Sequence, residues 1–139
     1  MQYLHYINFL AVAVAAVAAF LLGALWYSPL LFAKQWVALH GYTPEKLKAM
    51  QAQSKRAYAV SFVCQLVIAF AMALLIAITH MVALFAGIKL ALVCWVGFVA
   101  TTGLMAQFYS DKPFKAFLLD AGYQLVYFLA MGLILVAWH

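Results

Sequence analysis

The chain has 139 residues, of which 71% are hydrophobic and only 8% charged, and its mean hydropathy is +1.07. A water-soluble domain of this length could not bury so much apolar surface, so the composition excludes a soluble fold and predicts an integral membrane protein. The formal net charge of +5 comes from basic residues in short loops. That pattern indicates contact with anionic lipid headgroups and argues against nucleic acid binding.

Four apolar runs are long enough to cross the bilayer, since a helix needs about 20 residues to span about 30 Å of hydrocarbon. They cover about residues 7–28, 57–80, 88–109 and 115–137. They lack the alternation of polar and apolar residues that β-barrel strands require. The predicted fold is therefore a single all-α domain over residues 1–139. The first run is too long for a signal-peptide core, so we expect it to remain in the mature protein.

The first span carries small residues at intervals of four, which would let another helix approach closely, either within the chain or between subunits. Aromatic residues near the ends of the spans and in the loop after the first are predicted to lie at the membrane–water interfaces. The small residues are Ala11, Ala15, Ala19 and Gly23, and the interfacial anchors are Trp26, Tyr27, Trp36, Tyr109 and Trp138.

Residues 29–56 form an insertion before the second span. Ser28-Pro29 offers a helix start and Gly41 a stop, so residues 29–40 are predicted to form a short amphipathic helix on the membrane surface. The alternative is that Pro29 only kinks the first span. The apolar face of the surface helix would consist of Phe32, Trp36 and Leu39.

A second start signal, Thr43-Pro44, predicts a helix that runs unbroken into the second span, because no helix breaker follows before Gly87. Its first part, residues 44–56, would project from the membrane. There it is either a docking helix for a partner protein or a solvated spacer.

Basic residues decide the predicted orientation. Seven of the eight lie in the two loops that follow the first and third spans, and only Lys89 lies on the other side. The positive-inside tendency puts those loops in the cytoplasm and both termini outside.

The two halves of the chain resemble each other. Residues 65–76 and 124–135 share six identities, and Trp-Tyr-Ser at 26–28 aligns with Phe-Tyr-Ser at 108–110. Both copies enter the membrane from the same side, which predicts two parallel-repeat hairpins related by an axis along the membrane normal.

Polar residues inside the spans are the main candidates for a site, because each costs several kcal/mol in hydrocarbon unless it is partnered. They lie in the cytoplasmic half of the spans and predict a polar vestibule beneath a dry outer layer. Glutamines in this position also act as simple glue between helices, and that alternative stays open. The predicted lining residues are Tyr58, Ser61, Gln65, Gln107, Asp120, Tyr123, Gln124 and Tyr127.

Asp120 is the only carboxylate within a predicted span, which makes it a candidate for function, although it lies close enough to the interface to pair with Lys112 or Lys115. Cys64 and Cys94 differ too much in depth to bond and are predicted to be free, buried thiols.

Three histidines, His5, His80 and His139, map to the outer surface, where interfacial placement is favoured over a metal site. No nucleophile–base pair, phosphate-binding loop or metal-ligand cluster is found in the sequence. We therefore expect no enzymatic activity, cofactor or metal.

Asn8 and the run Gly-Ala-Leu-Trp-Tyr-Ser-Pro-Leu-Leu-Phe-Ala-Lys-Gln-Trp at 23–36 resemble the leading signature of a family of small bacterial membrane proteins, the domain of unknown function numbered 1761. The resemblance covers essentially the whole chain. It implies a bacterial inner-membrane protein and carries over no activity or site residue.

Two functions follow as hypotheses. The first is a homo-oligomeric channel or transporter-like protein for a small solute or ion, since four helices alone enclose little more than their own side chains. The second is a membrane scaffold that packs partner helices and docks a partner through residues 44–56.

Overall fold

The computed structural model describes residues 2–138, which fold into helices joined by short turns and contain no β-strand. The helices after a 3₁₀ turn at Gln2–Tyr6 are α1 (Phe9–Trp26), α2 (Ala33–His40), α3 (Pro44–Ala52), α4 (Ser54–Thr79), α5 (Leu84–Cys94), α6 (Thr101–Phe108) and α7 (Phe114–Ala137). A π-helical segment, Trp95–Ala100, joins α5 to α6. Leu84–Phe108 is therefore one continuous rod, which we call the third span.

Four rods are long and apolar enough to cross a membrane: α1, α4, the third span and α7. Each corresponds to one of the predicted spans. The all-α prediction is confirmed over residues 2–138, and the helices support a multi-pass membrane protein.

Local signals set several helix ends. The Asn8 side chain caps α1 by accepting hydrogen bonds from the backbone amides of Leu10 and Ala11, at 3.1 and 3.2 Å. Gly41 ends α2 in the left-handed conformation, with φ of 67°. Thr43 caps α3 by accepting from the Lys46 amide, with Pro44 in the first turn.

The helix that was predicted to run unbroken from Pro44 into the second span is interrupted. The chain breaks at Gln53, where the Ser54 hydroxyl donates to the Gln51 carbonyl and competes with the α-helical ladder. α4 then ends at Thr79, because His80 adopts a left-handed φ of 54°. Histidine is among the residues that tolerate this conformation, so no glycine was needed.

The predicted helix start at Ser28-Pro29 was also wrong. The Ser28 hydroxyl donates to the Leu25 carbonyl at 2.6 Å, so it closes α1 and does not cap α2. Residues 27–32 form turns, and α2 begins only at Ala33. Pro29 therefore follows the end of α1 and does not kink it.

The four rods pack in a row. α1 and α7 lie in the middle, the third span packs beside α7, and α4 packs beside α1 and also contacts α7, so the row is bent. The core lies where they meet, and Ala11, Ala15 and Ala19 are fully buried in it. We call the end of the bundle that carries α2, α3 and residues 109–113 the basic end, and the opposite end the terminal end.

The third span approaches α7 backbone to backbone. A Cβ atom on Gly87 would lie 2.6 Å from the Gly132 carbonyl oxygen, and one on Gly132 would lie 2.6 Å from that of Gly87. Only glycine fits at this crossing.

The two cysteines are free, as predicted, but only Cys94 is buried. Cys64 was predicted to be buried and is exposed.

Candidate functional site

A polar cluster lies where α1, α4 and α7 meet, in the half of the bundle nearest the basic end. Its first contact joins the end of α1 to α7, since the Tyr27 hydroxyl donates to Asp120 Oδ1 at 2.6 Å. Asp120 is half-buried. The sequence placed Asp120 close enough to pair with Lys112 or Lys115, but Asp120 forms no ion pair with either of them, and Lys112 donates to the His40 carbonyl. The carboxyl group of Asp120 is therefore held by a neutral partner.

Tyr123 lies one helical turn deeper and connects three helices. Its hydroxyl donates to the Ala19 carbonyl of α1 at 2.8 Å and accepts from Gln65 Nε2 of α4 at 3.0 Å. The hydroxyl fits against α1 because Gly23 has no side chain, and a Cβ there would lie 2.7 Å from it. Gln65 thus meets Tyr123, whereas the sequence aligned it with Gln124.

The amide of Gln65 is only half satisfied. The side chain is 7% exposed, and its Oε1 atom is buried without a hydrogen-bond partner among residues 2–138. A buried acceptor of this kind is costly unless something donates to it. Gln65 Oε1 is therefore available to accept a further hydrogen bond at the level of Tyr123.

Beside this cluster, a cavity of about 240 Å³ opens at the basic end, between α7, the third span and the end of α2. At the rim of this cavity, the Gln107 side-chain amide donates a hydrogen bond to the Lys112 carbonyl. Asp120 links the two features, because it lines the cavity while it accepts from Tyr27. The polar lining residues are His40, Gln107, Ser110, Lys112, Asp120 and Gln124.

The eight predicted lining residues fall into four groups. Gln107, Asp120 and Gln124 line the cavity, and Gln65 and Tyr123 belong to the polar cluster. Tyr127 is buried beside Tyr123, with ring centroids 4.9 Å apart. Tyr58 and Ser61 lie away from the site on the exposed side of α4, where Tyr58 packs its ring edge-on against Phe20.

Two aromatic residues that the sequence assigned to the interface hold the site together. Trp26 Nε1 donates to the Leu119 carbonyl at 3.1 Å, and Tyr27 bonds Asp120. Trp36 packs against Tyr27 and the His40 ring. Sequence reasoning missed this role, although the position of the Trp26-Tyr27 pair at the depth of the only intramembrane carboxylate was a usable signal. Tyr109 and Trp138, by contrast, are exposed.

Beyond the cluster, toward the terminal end, the bundle is packed with apolar side chains. Met72 of α4 and Met131 of α7 are almost fully buried at this level. A second cavity of about 450 Å³ lies at the terminal end itself, and its polar lining includes His5, Asn8 and His80. The apolar layer separates the two cavities.

No metal centre is apparent in the described part of the chain, where no three His, Cys, Asp or Glu residues are grouped to hold an ion. The ring of His80 packs edge-on against Tyr6. His139, which the sequence grouped with His5 and His80, lies outside the described residues.

Comparison with known proteins finds one family. The model of a family described as "Protein of unknown function (DUF1761)" matches residues 10–136. No curated protein and no solved structure matches the chain.

Proposed function

The chain belongs to the DUF1761 family of proteins of unknown function, and on this premise we propose that it is a transporter-like or channel protein for a small solute or ion. It would work as a homo-oligomer in the bacterial inner membrane, with the basic end in the cytoplasm, and would pass its solute without converting it chemically. One observation carries the proposal: the only carboxyl group within a span, that of Asp120, lines a cavity in an apolar bundle.

The rival explanation is that the polar residues are only glue between helices. If these residues only joined helices, each of their polar atoms would have a hydrogen-bond partner within the protein, because an unpaired polar atom is costly in hydrocarbon. Here Gln65 Oε1 has no partner within residues 2–138, and Asp120 faces the cavity beside the Gln124 amide. This spare capacity supports a site that takes up a polar or cationic guest.

The apolar layer at Met72 and Met131 supports a protein that must change shape to pass its solute. An open pore would need a continuous polar lining, whereas here the cavity at the basic end stops at packed side chains. We therefore propose alternating exposure of the site or a path completed by other subunits.

Flux through purified protein in liposomes tests this proposal. We expect the wild-type protein to pass protons, a monovalent cation or a small polar solute, each followed with its own dye or tracer. Asp120→Asn should reduce that flux by at least about tenfold, equivalent to about 1.4 kcal/mol of barrier. Gln124→Leu, which removes a second polar group from the cavity, should also reduce it.

Asp111→Asn is the matched control, because Asp111 is an exposed loop carboxylate outside the cavity lining. It should leave the flux unchanged. The proposal fails if the wild-type protein passes none of these solutes, or if Asp120→Asn and Asp111→Asn behave alike.

A membrane scaffold is the second candidate, and the position of α3 favours it. α3 leads into α4 through Gln53 and contains no buried residue, so Leu47 and Met50 are left half-exposed outside the bundle. If α3 docks a partner, a second protein should co-purify stoichiometrically with the intact chain and be lost when residues 44–52 are deleted. Co-purification that survives the deletion would exclude this role for α3.

A further inference from the structure

The contact between α1 and α7 joins the two halves of the chain. It consists of the Tyr27–Asp120 hydrogen bond, the Trp26 indole on the Leu119 carbonyl and the Tyr123 hydroxyl on the Ala19 carbonyl. The surface of α1 in this contact belongs to the first half of the sequence, and that of α7 to the second. If the halves are copies, each surface has a counterpart elsewhere in the chain.

The ends of α1 and of the third span have the same local structure. Tyr27 and Tyr109 are both the residue that closes the helix, with φ/ψ of −95°/15° and −99°/3°. The next residue is serine in both cases, and its hydroxyl donates to the carbonyl three residues back, at 2.6 Å for Ser28 and 3.0 Å for Ser110. Tyr109 therefore has the same backbone conformation at the end of the third span as Tyr27 has at the end of α1.

The same correspondence holds between α4 and α7. Five positions that are buried in α4 align with five that are buried in α7, which supports a duplicated hairpin. The aligned buried pairs are Ala69 and Phe128, Met72 and Met131, Ala73 and Gly132, Ile76 and Leu135, and Ala77 and Val136.

The counterparts of the α1–α7 contact are exposed. On the third span, Phe108 and Tyr109 correspond to Trp26 and Tyr27 and are 78% and 94% exposed. On α4, Ser61 corresponds to Asp120 and is exposed. Around Ser61, three residues that correspond to Leu119, Gly122 and Tyr123 are exposed as well: Val60, Val63 and Cys64.

These two exposed faces cannot meet within one chain, because α4 and the third span lie at opposite ends of the row of helices. When two copies of a hairpin pack side by side, the outermost helix at each end keeps an exposed face. The exposed face of the third span corresponds to the α1 surface and that of α4 to the α7 surface, so the two faces are complementary. Such head-to-tail contacts close into a ring when the rotation allows it.

We propose that the third span of one copy packs against α4 of a second copy, as α1 packs against α7 within the chain. In this contact the Tyr109 hydroxyl donates a hydrogen bond to the Ser61 side chain of the second copy. Two copies that exchange both contacts form a closed two-fold dimer of four hairpins. The inference deepens the proposed function and rests on its homo-oligomer, but not on transport.

Side-chain size supports the fit. The fully buried Ala15 of α1 corresponds to Gly97 of the third span, where an added Cβ would meet no atom within 4 Å. Small residues on a lipid-exposed face permit the close helix approach on which association in membranes depends. The third span thus keeps a small residue at a level where α1 is in close contact with α7.

Cysteine cross-linking between differently labelled copies tests the proposal. In a background of Cys64→Ala and Cys94→Ala, copies with Ser61→Cys are co-expressed with copies with Tyr109→Cys and treated in isolated membranes with a bifunctional maleimide. Such a reagent spans the length of the replaced tyrosine side chain, which a direct disulfide could not. We expect a covalently linked pair that carries both labels. Either variant alone, and Ser61→Cys with Tyr6→Cys at the terminal end, should give only background.

The mass of the wild-type protein in lipid nanodiscs is the second measurement, and we expect two copies. The proposal is overturned by a monomer, by any other copy number, or by a dimer in which the 61–109 pair does not cross-link. Flux measured on the same preparations separates the two proposals. Cross-linking without wild-type flux rejects transport alone, and flux without cross-linking rejects this interface alone.

Discussion

Tyr27 and Asp120 form the residue pair on which the site depends. The phenol bonds one carboxyl oxygen of Asp120, while Asp120 also faces the cavity. The pair therefore fixes the end of α1 against α7 and positions the carboxyl group at the same time. A hydrogen bond between membrane helices contributes about 0.6 to 2 kcal/mol.

Tyr27→Phe should therefore lower the free energy of unfolding by about 1 kcal/mol, because it removes the donor and keeps the ring. Unfolding in mixed micelles by increasing denaturing detergent measures this loss. Tyr6→Phe is the matched control, since the Tyr6 hydroxyl has no hydrogen bond within residues 2–138 and its ring contact with His80 is retained. Equal stability of the two variants would show that the Tyr27 hydroxyl contributes nothing.

At the scale of the helices, α1 and α7 differ from the third span in that each of them packs against other spans on two sides. α1 is buried against α4 and α7 through its alanines, whereas the third span packs only its α7-facing side through Gly87, Ala91 and Cys94. The Gly87–Gly132 crossing allows the closest approach between these two spans. Stability of the second hairpin should depend on it.

Gly132→Ala and Gly87→Ala should each destabilise the protein by about 1 to 3 kcal/mol, because the added methyl group meets backbone that cannot move aside without repacking the helices. The same micelle unfolding experiment measures the effect. Gly97→Ala adds the same methyl group where no atom of the same chain lies within 4 Å, so it should leave the unfolding of the monomer in excess micelles unchanged, although Gly97 lies on the proposed interface between copies. If all three variants are equally stable, the two spans do not cross at these glycines.

At the scale of the whole molecule, charge and structure divide the bundle into two different ends. Seven of the eight basic residues lie at the basic end, together with the polar cavity, and only Lys89 lies toward the terminal end. From the positive-inside tendency we therefore expect the cavity on the cytoplasmic side and both termini outside.

Fusions to the C-terminus test this orientation. Alkaline phosphatase, which folds only outside the cytoplasm, should be active when fused there, and green fluorescent protein exported by the general secretory route should be dark. Fusions after Lys112, in the loop between the third span and α7, should give the reverse pattern. An inactive phosphatase with a fluorescent protein at the C-terminus would invert the proposed topology.

The four spans could be predicted from the sequence, because each is a long apolar run, and such a run satisfies its backbone hydrogen bonds in lipid by forming a helix. Helix ends that depend on glycine or on a capping side chain, such as Gly41 and Thr43, were also predictable. The break at Gln53 was not, because it arises from side-chain competition with the backbone. The apolar run placed the end of the second span at about residue 80, but the left-handed conformation of His80 that ends α4 there was not predictable. Local patterns do not mark either event.

Within the site, periodicity placed Asp120, Tyr123 and Gln124 on one face of α7 but could not say which neighbour each one meets. Partners depend on how the helices pack, so Gln65 was aligned with Gln124 although it bonds Tyr123. The same limit hid Tyr27, which looked like an interfacial anchor until α1 was placed beside α7. Ser61 was grouped with the lining on periodicity alone, although its side of α4 faces outward.

Solvent access to Gln124 tests the central claim, that the cavity lined by Asp120 and Gln124 opens to solvent at the basic end of an apolar bundle. In a background of Cys64→Ala and Cys94→Ala, we expect Gln124→Cys to react with a membrane-impermeant maleimide from the same side as Asp111→Cys, in inside-out vesicles and not in right-side-out ones. Labelling of Asp111→Cys without labelling of Gln124→Cys would contradict the claim.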